Sequence, residues 1–582
     1  LLEQLEAAKL MFGAKEQLRL AKLLNQISRC RFTDAESLIR FHEALMFMLA
    51  YPQSEELLKQ TKEILNTFPQ RIKYLEKIDA DLIPFEEPEV SGIAGTSLTA
   101  IFSYPFSLWL SAHHTNETDI DWEGYEDEAR IGATLPRLLP LMEEEALVEA
   151  HLSFQDYIHA AKPKNETDLA WMMKNFSRLD LSEKEKAELY ESLKLYIRFA
   201  PNFESSRTGL RNNVSTACAY ERVVFYHCEP LIQRRDVSIE KELNKPSLQF
   251  EKLSAKEGAS ILNTIRTASA VRYRELHGFM YADVKSFLKI TLGRGVEVFL
   301  DEVLPEHRLP LRAYHSGFMF KNGVPIGYVE CLSLFEKMEV GFNLYYTWRE
   351  GETAWLYAQL LHIFKQHLGV TVFSVDPYQI GQDNEEGIES GAFWFYRKLG
   401  FKPVRDDITK IVEREEKKIA TQKDYRTPVK ILRRIATSHL IYSIADCGMW
   451  NAELGNKKQI GNRQSAIGNV LLAVQTRMSQ RFNGDARKMR EVTAKQISRL
   501  LNVDLNELKQ TEQKAFSNFA LVLSLIPNFS RWAIEEKELV REIIRAKGNG
   551  SEARYLHLIQ QHKRLRETFI FLKLDDREKE TR

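Results

Sequence analysis

Three carboxylates stand where they could exchange a proton with a bound substrate. Glu330 and Glu339 lie within β-rich runs and are candidate general bases. Asp376 closes the short run Val370 to Val375 just before Pro377, which restricts the chain at that point. A strand-end Asp also forms turns, so Asp376 has a purely structural reading as well. The acidic linker from Gln382 to Glu389 has three readings. It is a solvated loop, a lure for a cationic amine, or an oxygen-ligand site for a divalent cation, although EF-hand spacing is absent. His113-His114 reads as a surface pair, because adjacent side chains diverge and no third ligand stands at a useful spacing. No metal site is expected. Cys331, inside a β run, reads as a small buried residue rather than a nucleophile.

The elements that must position these groups follow from periodicity and punctuation. Residues 1–80 read as a helical arm. Thr33-Asp34-Ala35-Glu36 has the form of a capping box. Leu38, Phe41, Leu45 and Met48 then repeat on one helical face until Pro52. Ser54 can cap the helix that follows. Residues 81–246 read as mostly helical, over Tyr125 to Met142 and Leu169 to Phe199, with a short strand at Val223 to Tyr226. Residues 247–405 differ. A strand at Leu248 to Leu253 leads through the box Ser254 to Glu257 into a helix towards His277, and Asp283 begins another. Asn322-Gly323 between apolar runs predicts a hairpin of 311–320 with 324–335. A strand at 339–348, a helix at 353–367 ended by Gly369 and the strand at 370–375 come next. A helix at 390–399 and a strand from Phe401 to Val404 close the unit. The order is β-α-α-β-β-β-α-β-α-β. The fold class is therefore α+β or α/β, a mixed sheet with helices on both faces, flanked by mainly α-helical N- and C-terminal domains.

That order, and the segment Ala392-Phe-Trp-Phe-Tyr-Arg-Lys-Leu-Gly-Phe401 above all, resembles the GNAT superfamily of acyl-CoA-dependent N-acyltransferases. Asn343 to Trp348, followed by Arg349-Glu-Gly-Glu-Thr-Ala354, sits where that family has its fourth strand and pyrophosphate loop. The resemblance covers about 160 residues. It implies transfer of an acyl group, such as acetyl, to an amine, with acetyl-CoA or another acyl-CoA as co-substrate. It assigns Tyr396 as the acid that protonates the leaving thiolate. It places Asp376 beside the point where the fourth and fifth strands splay. Tyr345, Tyr346, Arg349, Gly351, Thr353 and Ala354 would then hold the co-substrate, with helix amides and dipole attracting the pyrophosphate. Two positions depart from the pattern. Glu352 stands where the loop's glycine belongs, with Gly351 one residue early, and Glu389 replaces an Asn that meets the pantetheine arm. The alternative is a protein that keeps the fold without its chemistry and serves as an interaction scaffold.

Composition bounds the rest. With 582 residues the chain needs several cores. Its 44% hydrophobic and 28% charged residues exclude wholesale disorder. Five scattered cysteines without a CxxC pair argue against a disulfide framework or a cysteine zinc site, and fit a reducing, cytoplasmic setting. Net charge is zero, yet residues 417–582 hold 32 Lys and Arg against 18 Asp and Glu. This basic helical domain points to an anionic partner, nucleic acid included, or to docking on the acidic remainder. Its clusters are Arg477, Arg481, Arg487, Lys488 and Arg490, then Lys563, Arg564 and Arg566. Gly92 to Ala112 is uncharged but rich in Ser, Thr and Gly, so it reads as a buried segment and no membrane span is expected. The chain opens on Leu1 rather than Met, which suggests a start further upstream.

Overall fold

The computed structural model describes residues 1–126, 128–140, 152–212, 214, 223–444 and 466–571. Three short strands, β1 (Leu98–Ile101), β2 (Thr118–Ile120) and β3 (Tyr196–Phe199), form a small antiparallel sheet in the order β1-β3-β2. Nine more form the large sheet. They are β4 (Glu251–Lys252), β5 (Leu288–Gly293), β6 (Val296–Glu302), β7 (Ala313–Lys321), β8 (Val324–Leu334), β9 (Lys337–Leu344), β10 (Val372–Val375), β11 (Lys402–Pro403) and β12 (Leu440–Ser443). Their order is β11-β12-β10-β9-β8-β7-β6-β5-β4, antiparallel except for the β9–β10 pair. The broad class, a mixed sheet among many helices, is therefore as expected.

The predicted hairpin is present. Asn322 and Gly323 both take positive φ, at 47° and 81°, the backbone that a two-residue turn matching strand twist needs. Gly369 ends the Thr353–Leu368 helix at φ 67°. The capping box at Ser254 also forms. Asp34, not Thr33, caps the Ala35–Ala50 helix, accepting the Ser37 N–H.

Several elements differ from expectation. Asp283 begins a turn, its carboxylate accepting the Lys285 N–H, and the chain then enters β5. The alternation of Leu288, Ile290 and Leu292 with Lys289 and Thr291 has period two, and Lys289 meets a partner on β6. Lys289 is buried and paired with Glu297 at 2.8 Å. The sheet thus holds two strands, β5 and β6, between the helices of 255–280 and the hairpin. Tyr196–Phe199 is β3, not helix end. Val223 to Tyr226 joins no ladder; Phe225 instead exchanges hydrogen bonds with the Asn322 side chain. Within the C-terminal region expected to be helical, Leu440–Ser443 is a strand, paired with β10. Gly92 to Ala112 is a buried turn, β1 and most of the Tyr104–His113 helix. No helix among the described residues is long and apolar enough to cross a membrane.

Two cores result. One lies between the small sheet and the helices of residues 104–193. The other is continuous from the N-terminal arm through the large sheet to the C-terminal helices. Charge helps to join its parts. The first amides of the Glu552–Gln561 helix donate to the Glu302 carboxylate, and buried Lys547 pairs with Glu552 at 2.8 Å. Arg566 pairs with Glu336, and Arg564 with Glu536. The second basic cluster is therefore largely spent on internal docking. In the first cluster, Arg487 bonds Glu491 and Arg490 bonds Asn518, both on the surface. Gly258 lies where the Ala255–Ala270 helix crosses Val284, and a Cβ would overlap the Val284 carbonyl oxygen. Gly258→Ala should lower stability by about 1–3 kcal/mol in denaturant unfolding; an unchanged midpoint would refute that crossing.

Candidate functional site

Directly opposed residues on neighbouring strands share a sheet face. The register sets Asp301 opposite Ser316, Ser316 opposite Glu330, and Glu330 opposite Gly341. One step along the strands, on the same face, lie Tyr314, Tyr328, Asn343 and Glu339. A polar row thus crosses β6, β7, β8 and β9. It is fixed by pairing register rather than by any local motif.

Within the row, Ser316 Oγ donates to Asp301 at 2.7 Å, and the Tyr314 hydroxyl donates to Glu330 in a short hydrogen bond. Burial raises both carboxyls. Asp301 is pushed up to about 8, with Glu302 and Glu330 adding repulsion. Glu330 rises through burial, opposed by Tyr314 and His277. Arg274 bridges the Tyr328 hydroxyl at 3.0 Å and Glu89 at 2.8 Å. Asn343 Oδ1 is buried with no partner among the described residues.

The row ends where the sheet opens. β9 and β10 pair over only three residues, the last being Glu339 with Ser374. Beyond them β10 stops and the chain turns into a short 3-10 helix, Pro377–Ile380. Among the described residues, the edge from Val340 to Leu344 therefore has no strand on that side. Asp376 sits at the mouth of this gap, one oxygen accepting the Tyr378 N–H at 2.9 Å. Its neighbours are Glu339 from β9 and His439, the residue before β12. Burial lowers the His439 pKa, and Asp376 opposes that shift. The sequence marks Glu339 and Asp376 as candidates but not His439. The signal for it was the apolar run Leu440-Ile441-Tyr442 directly after the His, obscured by the basic residues around it.

The opposite face carries the aromatic helix. Phe342, one residue from Gly341 on β9, packs against Tyr357, whose ring meets Tyr396 at 5.3 Å between centroids. Tyr396 is buried on the Ala392–Lys398 helix against Phe401 as well. Burial pushes its phenol up, so it stays protonated. Cys331 is fully buried on this side and its thiol is pushed well up, which leaves it inert, as its sequence setting suggested.

No family model and no solved structure matches this chain. Among curated proteins, the alanine–tRNA ligase of Picosynechococcus sp. (strain ATCC 27264 / PCC 7002 / PR-6) is 33% identical over 100 residues, which is 16% of this chain. The match spans 11% of the ligase.

The residues that the resemblance assigns to acyl-CoA lie in one stretch, and most of them have contacts inside the protein. Tyr345 is buried with its ring 4.0 Å from the Arg272 guanidinium. Tyr346 is exposed. Arg349 donates to the Leu344 carbonyl at 3.0 Å and pairs with Glu386. Thr353 Oγ1 donates back to the Arg349 carbonyl, and Ala354 is buried. A Cβ on Gly351 would overlap the Tyr51 hydroxyl, which comes from the N-terminal arm and accepts the Glu352 N–H. The Gly351 N–H is spent on the Trp348 carbonyl. Glu352 is buried, bonded to Arg294, Lys321 and the Ile232 N–H. The loop is crowded for a pyrophosphate: the Gly351 and Glu352 amides are taken, a carboxylate stands beneath it and Tyr51 lies over its glycine. Acetyl-CoA or free CoA at millimolar concentration should therefore leave the thermal midpoint unmoved. A clear upward shift would show that the arm moves aside.

The acidic linker is also built into the fold. Asn384 caps the short helix Glu385–Glu389, Glu386 pairs with Arg349, and Glu385 pairs with Arg433 at 2.8 Å. His114 is not a surface residue. It is wedged between Glu117, at 2.6 Å, and Thr267, at 3.1 Å, while His113 stacks on Trp109.

Proposed function

We propose that this chain transfers an acyl group to an amine at the gap between β9 and β10, in the manner of the GNAT-type enzymes its sequence resembles. The observation that carries the reading is the early end of β10, with a half-buried carboxylate, Glu330 on the neighbouring β8, on one face beside the opened edge and a buried phenol, Tyr396, on the other. In this reading the acyl donor lies along the free edge of β9. A β9 N–H steadies the oxyanion. Glu330, whose pKa burial raises above that of an exposed glutamate, takes the proton from the attacking amine. The new C–N bond forms, the bond to the leaving group breaks, and Tyr396 protonates that group. Solvent then returns a proton to Tyr396 and removes one from Glu330. Asp376, at the mouth, is the alternative base.

Because Tyr51 and Glu352 pack against the loop that the resemblance assigns to acyl-CoA, no step is routed through coenzyme A. The test is thiol release from short acyl thioesters that lack a nucleotide, with acetyl-CoA alongside, across a panel of primary amines. Release that depends on both the amine and Glu330 supports the proposal. No amine-dependent release from any donor would favour the second reading, a non-catalytic scaffold. The packing of Tyr51 over Gly351 is the observation behind that alternative.

A further inference from the structure

We infer that Glu339, Asp376 and His439 bind one divalent transition-metal ion of the zinc class at the mouth of the β9–β10 gap. The three donors come from three places in the chain and converge through sheet register. Glu339 is opposite Ser374 on β10, and Leu440 of β12 is opposite Val375. Asp376 and His439 therefore lie side by side, one step beyond, on the face that carries Glu339. One ligand atom from each falls within 4.8 Å of the other two.

Two further features fit an ion. His439 Nδ1 stands 4.0 Å from Asp376 Oδ2. That is too long for a hydrogen bond but within the span of two ligands on one ion, each at roughly 2.0–2.2 Å. The other Asp376 oxygen is fixed by the Tyr378 N–H, so the free one faces the imidazole. Among the described residues, the Glu339 carboxylate has no hydrogen bond or ion pair. Its carboxylate and that of Asp376 share this corner of the sheet, with Lys337 the nearby cation. One imidazole and two carboxylates are a mixed nitrogen–oxygen set, which suits Zn²⁺, Co²⁺ or Mn²⁺ better than Mg²⁺. With three protein ligands and the donors partly open to water, a fourth position is left for solvent or substrate.

The inference does not depend on the acyl-transfer reading, and its test needs no activity. Chelator-treated full-length protein is titrated with ZnCl₂ by calorimetry, and with CoCl₂ by visible absorption. One equivalent of Zn²⁺ and a Co²⁺ band removed by Zn²⁺ are expected, with no competition from millimolar Mg²⁺. Glu339→Gln and His439→Ala should each weaken binding at least about tenfold. Both sites are partly exposed, so metal-free unfolding midpoints are expected to match the wild type and confirm that the variants fold. Absence of a one-equivalent site, or equal affinity in both variants, would overturn the assignment.

Discussion

Glu43→Gln is expected to cost about 3–5 kcal/mol of stability, because it strips a buried guanidinium of its counter-charge. Glu43 lies on the Ala35–Ala50 helix of the N-terminal arm, and Arg207 belongs to a loop some 160 residues later. Both are buried and form a close ion pair. Thr347, just past β9, donates to the same carboxylate, and His42 Nδ1 lies 3.1 Å from it. His42 Nε2 meets Thr208 at 2.9 Å, and Thr208 in turn accepts the Ala94 N–H. One carboxylate therefore ties the arm, the 92–94 turn and the end of β9. Burial alone would raise its pKa, but Arg207, His42 and Thr347 outweigh that and hold it at about 2. A carboxyl whose folded pKa is depressed contributes fully above its ordinary value of 4.5. The contribution is lost as pH falls towards 2. Denaturant unfolding of wild type and variant should thus differ most near neutrality and converge between these two values. A gap below about 1 kcal/mol, or one independent of pH, would mean that Arg207 has another counter-charge.

The legible parts of this fold are those where local chemistry and tertiary packing agree. Asn322-Gly323 could be read as a turn because the required backbone is written in two residues. Ser254 and Gly369 marked helix ends for similar reasons. β5 was missed because Lys289 and Thr291 make it look like a polar helix start, and only Glu297 across the ladder explains the buried lysine. β12 was missed because it is four residues long and lies among basic residues. The site shows the same division. Glu330, Glu339 and Asp376 were visible as carboxylates in β runs. The row that joins Glu330 to Asp301 and Tyr314 depends on register across four strands, and no local pattern encodes that. Tyr51 is the clearest case. Nothing near it in sequence indicates that its hydroxyl will lie over Gly351, some 300 residues away. The resemblance assigns the loop to a phosphate, and a long-range contact sets a tyrosine beside it.

Glu330→Gln is expected to lower amine-dependent acyl transfer by about 10²–10⁴-fold while leaving the fold intact. The amide keeps the size of the carboxyl and can still accept the Tyr314 hydroxyl, so the short contact to β7 survives. It also removes a half-buried charge, and stability should change by less than about 1 kcal/mol. The pH profile separates loss of a base from loss of a shape. Glu330 must be ionised to accept a proton, and burial has raised its pKa above the ordinary 4.5. The wild-type rate should therefore rise with pH through a limb set higher than a solvent-exposed glutamate would give, and that limb should vanish in the variant. Asp301 bears on the same limb. Pushed up to about 8, it holds its proton at neutrality, which spares Glu330 a second negative charge on its face of the sheet. Asp301→Asn fixes that neutral state, so it should leave the neutral rate nearly unchanged and flatten only the alkaline side. If Glu330→Gln stays within about tenfold of the wild type, or keeps the acidic limb, the proton goes elsewhere. Asp376, at the mouth of the same gap, is then the base.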